Sequence, residues 1–301
     1  MKFLSSKYSK WNIIYEGSVK LTELFSWKLK NIEKKQLFTT DSSSSPIYQP
    51  VFIIGLPRTG STFLYQLITN RYNVSYFDNL FDIMHKFPLS GMYYSNLIYG
   101  DKPHNCFRST MGGTLRYGLH CPSEAGNYWY RFFERNKYRV LPEDLSQDLK
   151  KQLKLEFITI LNRYKKPLVI KNLANRLRLI LIKELFPKAK IIVINRKEQD
   201  VFNSILKVRK IKSIKANDFW SIYPPEIDGV KYNNEKELIC SQIRSLEEQI
   251  SKDIKIFPQT NVLMINYEEI INSLGKVLGV LDQFMGAKLR NDALLPYDMK
   301  K

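Results

Sequence analysis

Gly55-Leu56-Pro57-Arg58-Thr59-Gly60-Ser61-Thr62 gathers two glycines, a cation and three hydroxyls directly after the apolar run Val51-Phe52-Ile53-Ile54. That order fits a strand, a tight turn and the start of a helix. A glycine turn lets backbone approach an anion closely, and the first N–H groups of a helix lack internal partners and carry partial positive charge. Thr59, Ser61 and Thr62 add hydroxyls, and Arg58 adds a guanidinium. The segment therefore suits a phosphate. Its spacing matches the G-x-x-x-x-G-K-[ST] loop of nucleotide triphosphatases except that Ser61 stands at the lysine position. Without the lysine that reaches the β- and γ-phosphates, ATP or GTP hydrolysis is disfavoured. Alone, the segment has a plainer reading as a capped helix start with a surface arginine.

Three more segments offer groups of the same kind. Ile191-Ile192-Val193-Ile194 runs into Asn195-Arg196, and the helix expected from Asp200 carries Ser204, eight residues beyond the arginine. A guanidinium fork meets phosphate oxygens in pairs, and a hydroxyl on the next helix completes such a cradle. Lys171-Asn172-Leu173-Ala174-Asn175-Arg176-Leu177-Arg178 follows the run Leu168-Val169-Ile170, and Asn266-Tyr267-Glu268-Glu269 follows Val262-Leu263-Met264-Ile265. Taken singly, Lys171 reads as a surface lysine, Tyr267 as a sheet-end tyrosine and Asp200 as a helix cap.

In chain order these segments resemble the superfamily of sulfotransferases that use 3′-phosphoadenosine 5′-phosphosulfate (PAPS). Leu56 to Thr62 looks like the family's 5′-phosphosulfate loop, so the resemblance implies donor contacts from Arg58, Thr59, Gly60, Ser61 and Thr62. Arg196 and Ser204 resemble the family's 3′-phosphate pair, with Glu198 where Pro is frequent. Lys171 to Arg178 is similar to the Lys-Asn-Pro-x-Asn-x-x-Arg stretch of bacterial-type members, with Leu173 replacing Pro, which implies Lys171 beside the transferring group. Ile265 to Glu269 and Phe284-Met285-Gly286 resemble the family's Tyr-Glu-Asp and Phe-Leu-Gly marks, with Tyr267 on or near the adenine. The likeness spans residue 51 to about 286, roughly four fifths of the chain.

The reaction this implies moves a sulfuryl group from PAPS to a hydroxyl or amine of a small-molecule, glycan or lipid acceptor. In-line transfer of this kind depends on positioning and charge stabilisation, with Arg58 and Lys171 as the neutralising cations and no metal required. The acceptor needs a base within hydrogen-bond reach. Some members place a His shortly after the lysine strand, where this chain has Leu173. Glu124, in His120-Cys121-Pro122-Ser123-Glu124-Ala125-Gly126, is the expected base, with His120 the runner-up or its partner. Pro122-Ser123-Glu124 would equally open a helix. His85 and His104 read as structural or exposed. Tyr93, Tyr94, Tyr99, Trp129, Tyr130, Phe219, Trp220 and Tyr223 either line an acceptor pocket or pack in the core. Two other functions stay open: a P-loop kinase or phosphotransferase, and a non-catalytic nucleotide- or nucleic-acid-binding protein.

Positioning these groups calls for an α/β fold. Short apolar strands at 51–54, 168–170, 191–194 and 262–265, alternating with helices, predict a P-loop-containing, mainly parallel sheet flanked by helices on both faces. Helices are expected after the first strand, from Pro142 through Tyr164, from the second strand to Phe186, and up to Phe284. Residues 1–45 read as an N-terminal helical extension (Leu21, Leu24, Phe25, Leu29 and Ile32 forming a core-packing face) plus the Ser-rich linker Thr39 to Pro46, and residues 46–301 as the main domain. The extension either packs on the core or mediates a homodimer. The 301 residues, 44% hydrophobic and 25% charged, exclude a disordered chain. A net charge of +18 attracts anions: PAPS, an acidic surface or nucleic acid, although no nucleic-acid motif appears and such binding is not expected. Cys106, Cys121 and Cys240, an odd set without paired spacing, argue against a disulfide framework or a zinc site. With no membrane-spanning run, a reducing, cytoplasmic location is expected.

Overall fold

A computed structural model describes residues 6–38 and 46–293. The linker expected from Thr39 lies outside the described residues up to Ser45. Helices α1 (Ser6–Leu24) and α2 (Ser26–Phe38) come first, then strand β1 (Pro50–Gly55), α3 (Ser61–Arg71), β2 (Ser75–Tyr76), α4 (Asn79–Ile83) and α5 (Pro88–Tyr99). After α6 (Gly126–Trp129) and α7 (Gln147–Tyr164) the chain forms β3 (Leu168–Lys171), α8 (Leu179–Leu185), β4 (Lys190–Asn195), α9 (Glu198–Ile211) and α10 (Glu235–Asp253). Strand β5 (Val262–Asn266), α11 (Tyr267–Asn272) and α12 (Leu274–Met285) complete the fold.

All five strands run parallel in the order β2-β3-β1-β4-β5. Parallel strands are buried on both faces, which is why β1, β3 and β4 are almost uninterrupted Val, Ile and Leu. Alternation along each strand divides these residues between two layers. Phe52, Ile54, Leu168, Ile170, Ile191 and Val193 pack with Phe157 and Ile160 of α7, whereas Val51, Ile53, Val169, Ile192 and Ile194 pack with α3 and α12. A third cluster joins Leu56 to Val201 and Ile205 of α9 and Leu238, Ile239 and Ile243 of α10. From β1 the chain supplies β3 on one side and later β4 on the other. The strand order therefore reverses at the carboxyl end of β1, the place where open α/β sheets bind ligands.

Three expectations are corrected. Pro142–Asp144 forms only a 3₁₀ turn, and the helix restarts at Gln147 because Ser146 caps it, its hydroxyl accepting from Leu149 N at 3.3 Å. The supposed core face of the extension is split: Leu29 is buried, but Leu21, Leu24 and Phe25 are exposed. The chain turns at Phe25 between α1 and α2, so those positions do not share one face. Finally, Cys106 and Cys121 form a disulfide, with Cα atoms 5.4 Å apart. Residues between them fold back through Thr110 N→Gly113 O and Asn79 Nδ2→Gly118 O bonds, which brings together two cysteines whose spacing gave no hint of pairing. Cys240 is a free thiol.

Candidate active site

Two close backbone approaches and one strained residue shape the loop between β1 and α3. Gly55 lies against β4, where an added Cβ would come 2.5 Å from the Ile194 carbonyl oxygen. Gly60 has φ +86°, and a Cβ there would overlap the Tyr267 ring. Arg58, not a glycine, also takes a left-handed conformation at φ +70°, which costs on the order of 1 kcal/mol. The buried Thr59 hydroxyl donates to Leu56 O at 2.9 Å, and Arg196 Nη1 donates to Arg58 O at 3.0 Å. These bonds hold the strained turn.

Arg58, Arg196, Ser204 and Tyr267 come from three separate segments, Arg196 and Ser204 sharing one, and meet here. Arg58 Nε donates to Ser204 Oγ at 3.0 Å, and the Arg196 guanidinium lies over the Tyr267 ring at 4.5 Å. Burial, and after it the neighbouring Arg196, lowers the Arg58 pKa. Among the described residues neither arginine forms an ion pair with a carboxylate, and Arg196 Nε is buried without a hydrogen-bond partner. Two adjacent cations with no acid between them, at the mouth of a helix, make a site for a polyanion. Asp200 sits in the first turn of α9, where its charge suits the helix end, and makes no capping hydrogen bond.

Beside the loop is a second constellation. Lys171 ends β3 opposite Ile53 of β1 and is 1% exposed. Its ammonium lies 3.1 Å from Thr62 Oγ1 and forms an ion pair with Glu124 Oε1. The backbone around Glu124 is fixed from several sides. Asn172 Nδ2 donates to Glu124 O at 3.0 Å, Ser123 N to Phe77 O at 2.7 Å, and Ala125 N to Ser123 Oγ at 3.1 Å. Helix α6 begins after Glu124, with Ala125 at its cap position, so the carboxylate turns to Lys171 instead of serving a helix start. Half-buried and next to a cation, a carboxylate of this kind can accept a proton once the lysine is drawn to another anion.

His120 is not part of this group. Its ring stacks on Tyr99 at 4.0 Å and on Tyr76 at 5.8 Å, and its carbonyl accepts from the Tyr76 hydroxyl. It lines a small pocket of about 30 Å³ together with Lys166 and Arg290. Burial, then Arg290, pushes its pKa down to about 4. Among the described residues it forms no hydrogen bond or ion pair with Glu124 or Lys171. The other histidines are held structurally: His104 Nε2 is 2.9 Å from Thr69 Oγ1, and His85 Nδ1 is 2.9 Å from Asp82 O.

Of the aromatics, Trp129 is buried in the core, and Phe219 and Tyr223 stack on each other near α9 and α10. Tyr93 and Tyr94 pair on α5. Sequence reasoning missed Gly112 (φ +93°), whose Cβ position is 3.3 Å from Glu124 Oε1 and 3.7 Å from Thr62 Oγ1. The Gly112-Gly113 pair was the available signal. It also gave no role to Arg176, which is fully buried, donates from Nε to Leu173 O and has both terminal nitrogens unpartnered. Burial pushes its pKa down to about 9, against the opposing attraction of Glu124.

Residues 50–290 match the model of a sulfotransferase family. Among solved structures the chain is similar to the sulfotransferase STF9 from Mycobacterium avium (13% identity, TM-score 0.52, covering 84% of this chain and 67% of that chain). It is also similar to the sulfotransferase domain from the curacin biosynthetic pathway (15% identity, TM-score 0.48, 84% and 79% covered). A mouse sulfotransferase, SULT7A1, complexed with PAP aligns at 14% identity and a TM-score of 0.34, covering 86% and 65%. No curated protein sequence matches the chain.

Proposed function

Since the chain belongs to the sulfotransferase family, with residues 50–290 matched, we propose that it transfers a sulfuryl group from PAPS to a hydroxyl or amine acceptor. The observation that carries the donor assignment is the uncompensated pair Arg58 and Arg196, joined to Ser204 and stacked on Tyr267. A nucleotide with phosphates at two positions needs cations at two places, and the buried, unpartnered Arg196 Nε suits one of them. When bound, that donor supplies an activated sulfate whose phosphate is the leaving group. Thr59, Gly60, Ser61 and Thr62 provide the phosphate cradle, Arg196 and Ser204 the second phosphate contact, and Tyr267 an aromatic face.

In this reading Lys171 and Arg58 neutralise charge that grows on the transferring and leaving oxygens. Glu124 takes the proton from the attacking acceptor as its oxygen or nitrogen bonds to sulfur and the sulfur–phosphate oxygen bond breaks. His120, held in its own stack, is left without a catalytic role. Residues 46–301 are the transferring unit and residues 1–45 an extension. Among the described residues no helix is long and apolar enough to cross a membrane. The Cys106–Cys121 disulfide favours an oxidising compartment over the cytoplasm expected from composition.

Calorimetric titration with 3′,5′-ADP, the desulfated donor, tests the proposal, with ATP for comparison. Wild-type protein is expected to prefer 3′,5′-ADP, and Arg196→Ala to weaken it by about tenfold to a hundredfold, as loss of a charged hydrogen bond would. A preference for ATP indifferent to Arg196→Ala would replace the reading with a P-loop phosphotransferase.

A further inference from the structure

Helix α1 is mounted with its more aliphatic side outward. The residues it turns toward the body are Tyr15, Ser18, Val19 and Thr22, all partly buried. Tyr15 donates its hydroxyl to Asp82 O at 3.1 Å and accepts from Asn127 Nδ2 at 2.7 Å. On the other side Ile13, Leu21 and Leu24 are 68%, 56% and 75% exposed, with Ile14 beside them. At 3.6 residues per turn these four positions fall within about one third of the helix circumference. Phe25 and Trp27 extend the stripe through the turn into α2, Trp27 being 63% exposed. An amphipathic helix packed for its own stability would bury the leucines and isoleucines and leave the hydroxyls in water. A continuous exposed strip of this composition indicates a surface that is covered in use.

The charges around the strip identify what covers it. Lys20, Lys28, Lys30 and Lys34 are exposed on α1 and α2, and Lys28 lies 5.6 Å from the Trp27 ring. Of the acids on the same helices, Glu23 is paired with Lys86 and Glu33 accepts from Ser90 N, which leaves exposed Glu16 against the four lysines. A second copy of the chain would bring another net charge of +18 against this basic face. A lipid bilayer with anionic headgroups instead offers hydrocarbon for the strip and opposite charge for the lysines, with aromatic rings at the boundary. We propose that α1 and the start of α2 form a peripheral docking face for an anionic membrane surface, with Ile13, Leu21, Leu24, Phe25 and Trp27 entering the interface. This inference is independent of the transfer site.

The test is co-sedimentation of the full chain with phosphatidylcholine vesicles made with and without phosphatidylserine, across a salt series. Wild-type protein is expected to sediment with the phosphatidylserine vesicles, weakly with phosphatidylcholine alone, and less as salt rises. Leu21→Glu/Leu24→Glu should lower the affinity by about thirtyfold or more, while its far-UV circular dichroism and 3′,5′-ADP titration match wild type. Failure to sediment with either vesicle would overturn the proposal. So would unchanged binding by the double variant, which would reduce the attraction to the net charge alone. Sedimentation equilibrium showing a wild-type dimer that the double variant dissolves would assign the strip to a second copy.

Discussion

Glu124 and Lys171 illustrate how much chemistry rests on one contact. The carboxylate and the ammonium neutralise each other beside Thr62. Proposed as base and charge stabiliser, they must separate for transfer, so their removal should affect turnover more than donor affinity. Glu124→Gln is expected to slow sulfuryl transfer to a screened acceptor by about two to four orders of magnitude. Calorimetric affinity for 3′,5′-ADP should stay near wild type in the same variant. Equal losses in both would make Glu124 a scaffold residue. The sequence revealed the parts of this site unevenly. Arg58, Thr59 and Gly60 sit in a segment whose spacing suits a phosphate turn, although a capped helix start reads the same way, and Arg196 and Ser204 lie on one strand-to-helix segment that resembles the family's phosphate pair. Lys171 and Glu124, 47 residues apart, meet through tertiary folding, so only family resemblance pointed to either. His120 misled by its closeness in sequence: a turn at Cys121 and Pro122 sends it to Tyr99 while Glu124 goes to Lys171.

At the scale of elements, the central strands were legible because burial on both faces demands unbroken Val, Ile and Leu. Strand β2 was not, since two residues carry no period, and its place is set by pairing with Leu168 and Val169. The loop between Cys106 and Cys121 was equally opaque. It brings Gly112 against Glu124 and so connects the disulfide to the proposed base. Closing a loop with a sequence separation of 15 is worth about 3 kcal/mol through the unfolded chain. Cys106→Ser/Cys121→Ser should therefore melt at a clearly lower temperature than wild type, and reductant should lower only the wild-type value. Identical melting of the two proteins would show that the loop is held by its hydrogen bonds.

Across the whole molecule, opposing sets of buried ionisable groups shape how stability changes with pH. Burial raises Asp78 and Asp82 to about 7, although Ser95 and Phe81 N donate to the first and Ser123 to the second. Burial raises Glu33 to about 7 as well, and lowers His104 to about 3 and His120 to about 4. An acid raised in the folded state keeps its proton after the unfolded chain has lost it, so these carboxyls remove stability as pH rises from about 4 to 7. A histidine lowered in the folded state works in reverse: the unfolded chain binds the proton first, and stability grows as pH rises from about 3 to 6.5. Three carboxyls outweigh two histidines by one proton, so the wild-type urea midpoint should fall as pH rises from about 4.5 to 6.5, by about 1.4 kcal/mol of stability per pH unit. Asp78→Asn/Asp82→Asn, which removes two of the three raised acids, should show a midpoint that climbs with pH. A double variant whose midpoint follows pH as wild type does would mean the two aspartates are already ionised.

The position of β1 also governs when the site can exist during synthesis. Its first partner in the sheet, β3, ends at Lys171, and its second, β4, ends at Asn195. Gly55 is wedged against Ile194, Arg58 is tied to Arg196 and Ser204, and Gly60 is closed by Tyr267. A ribosome that has released only the phosphate turn and its helix has thus made the recognisable motif without its walls. On the proposed reading of the site, the growing chain could not hold the nucleotide until residue 267 has emerged, so ligand capture would come only after nearly the whole sheet has assembled.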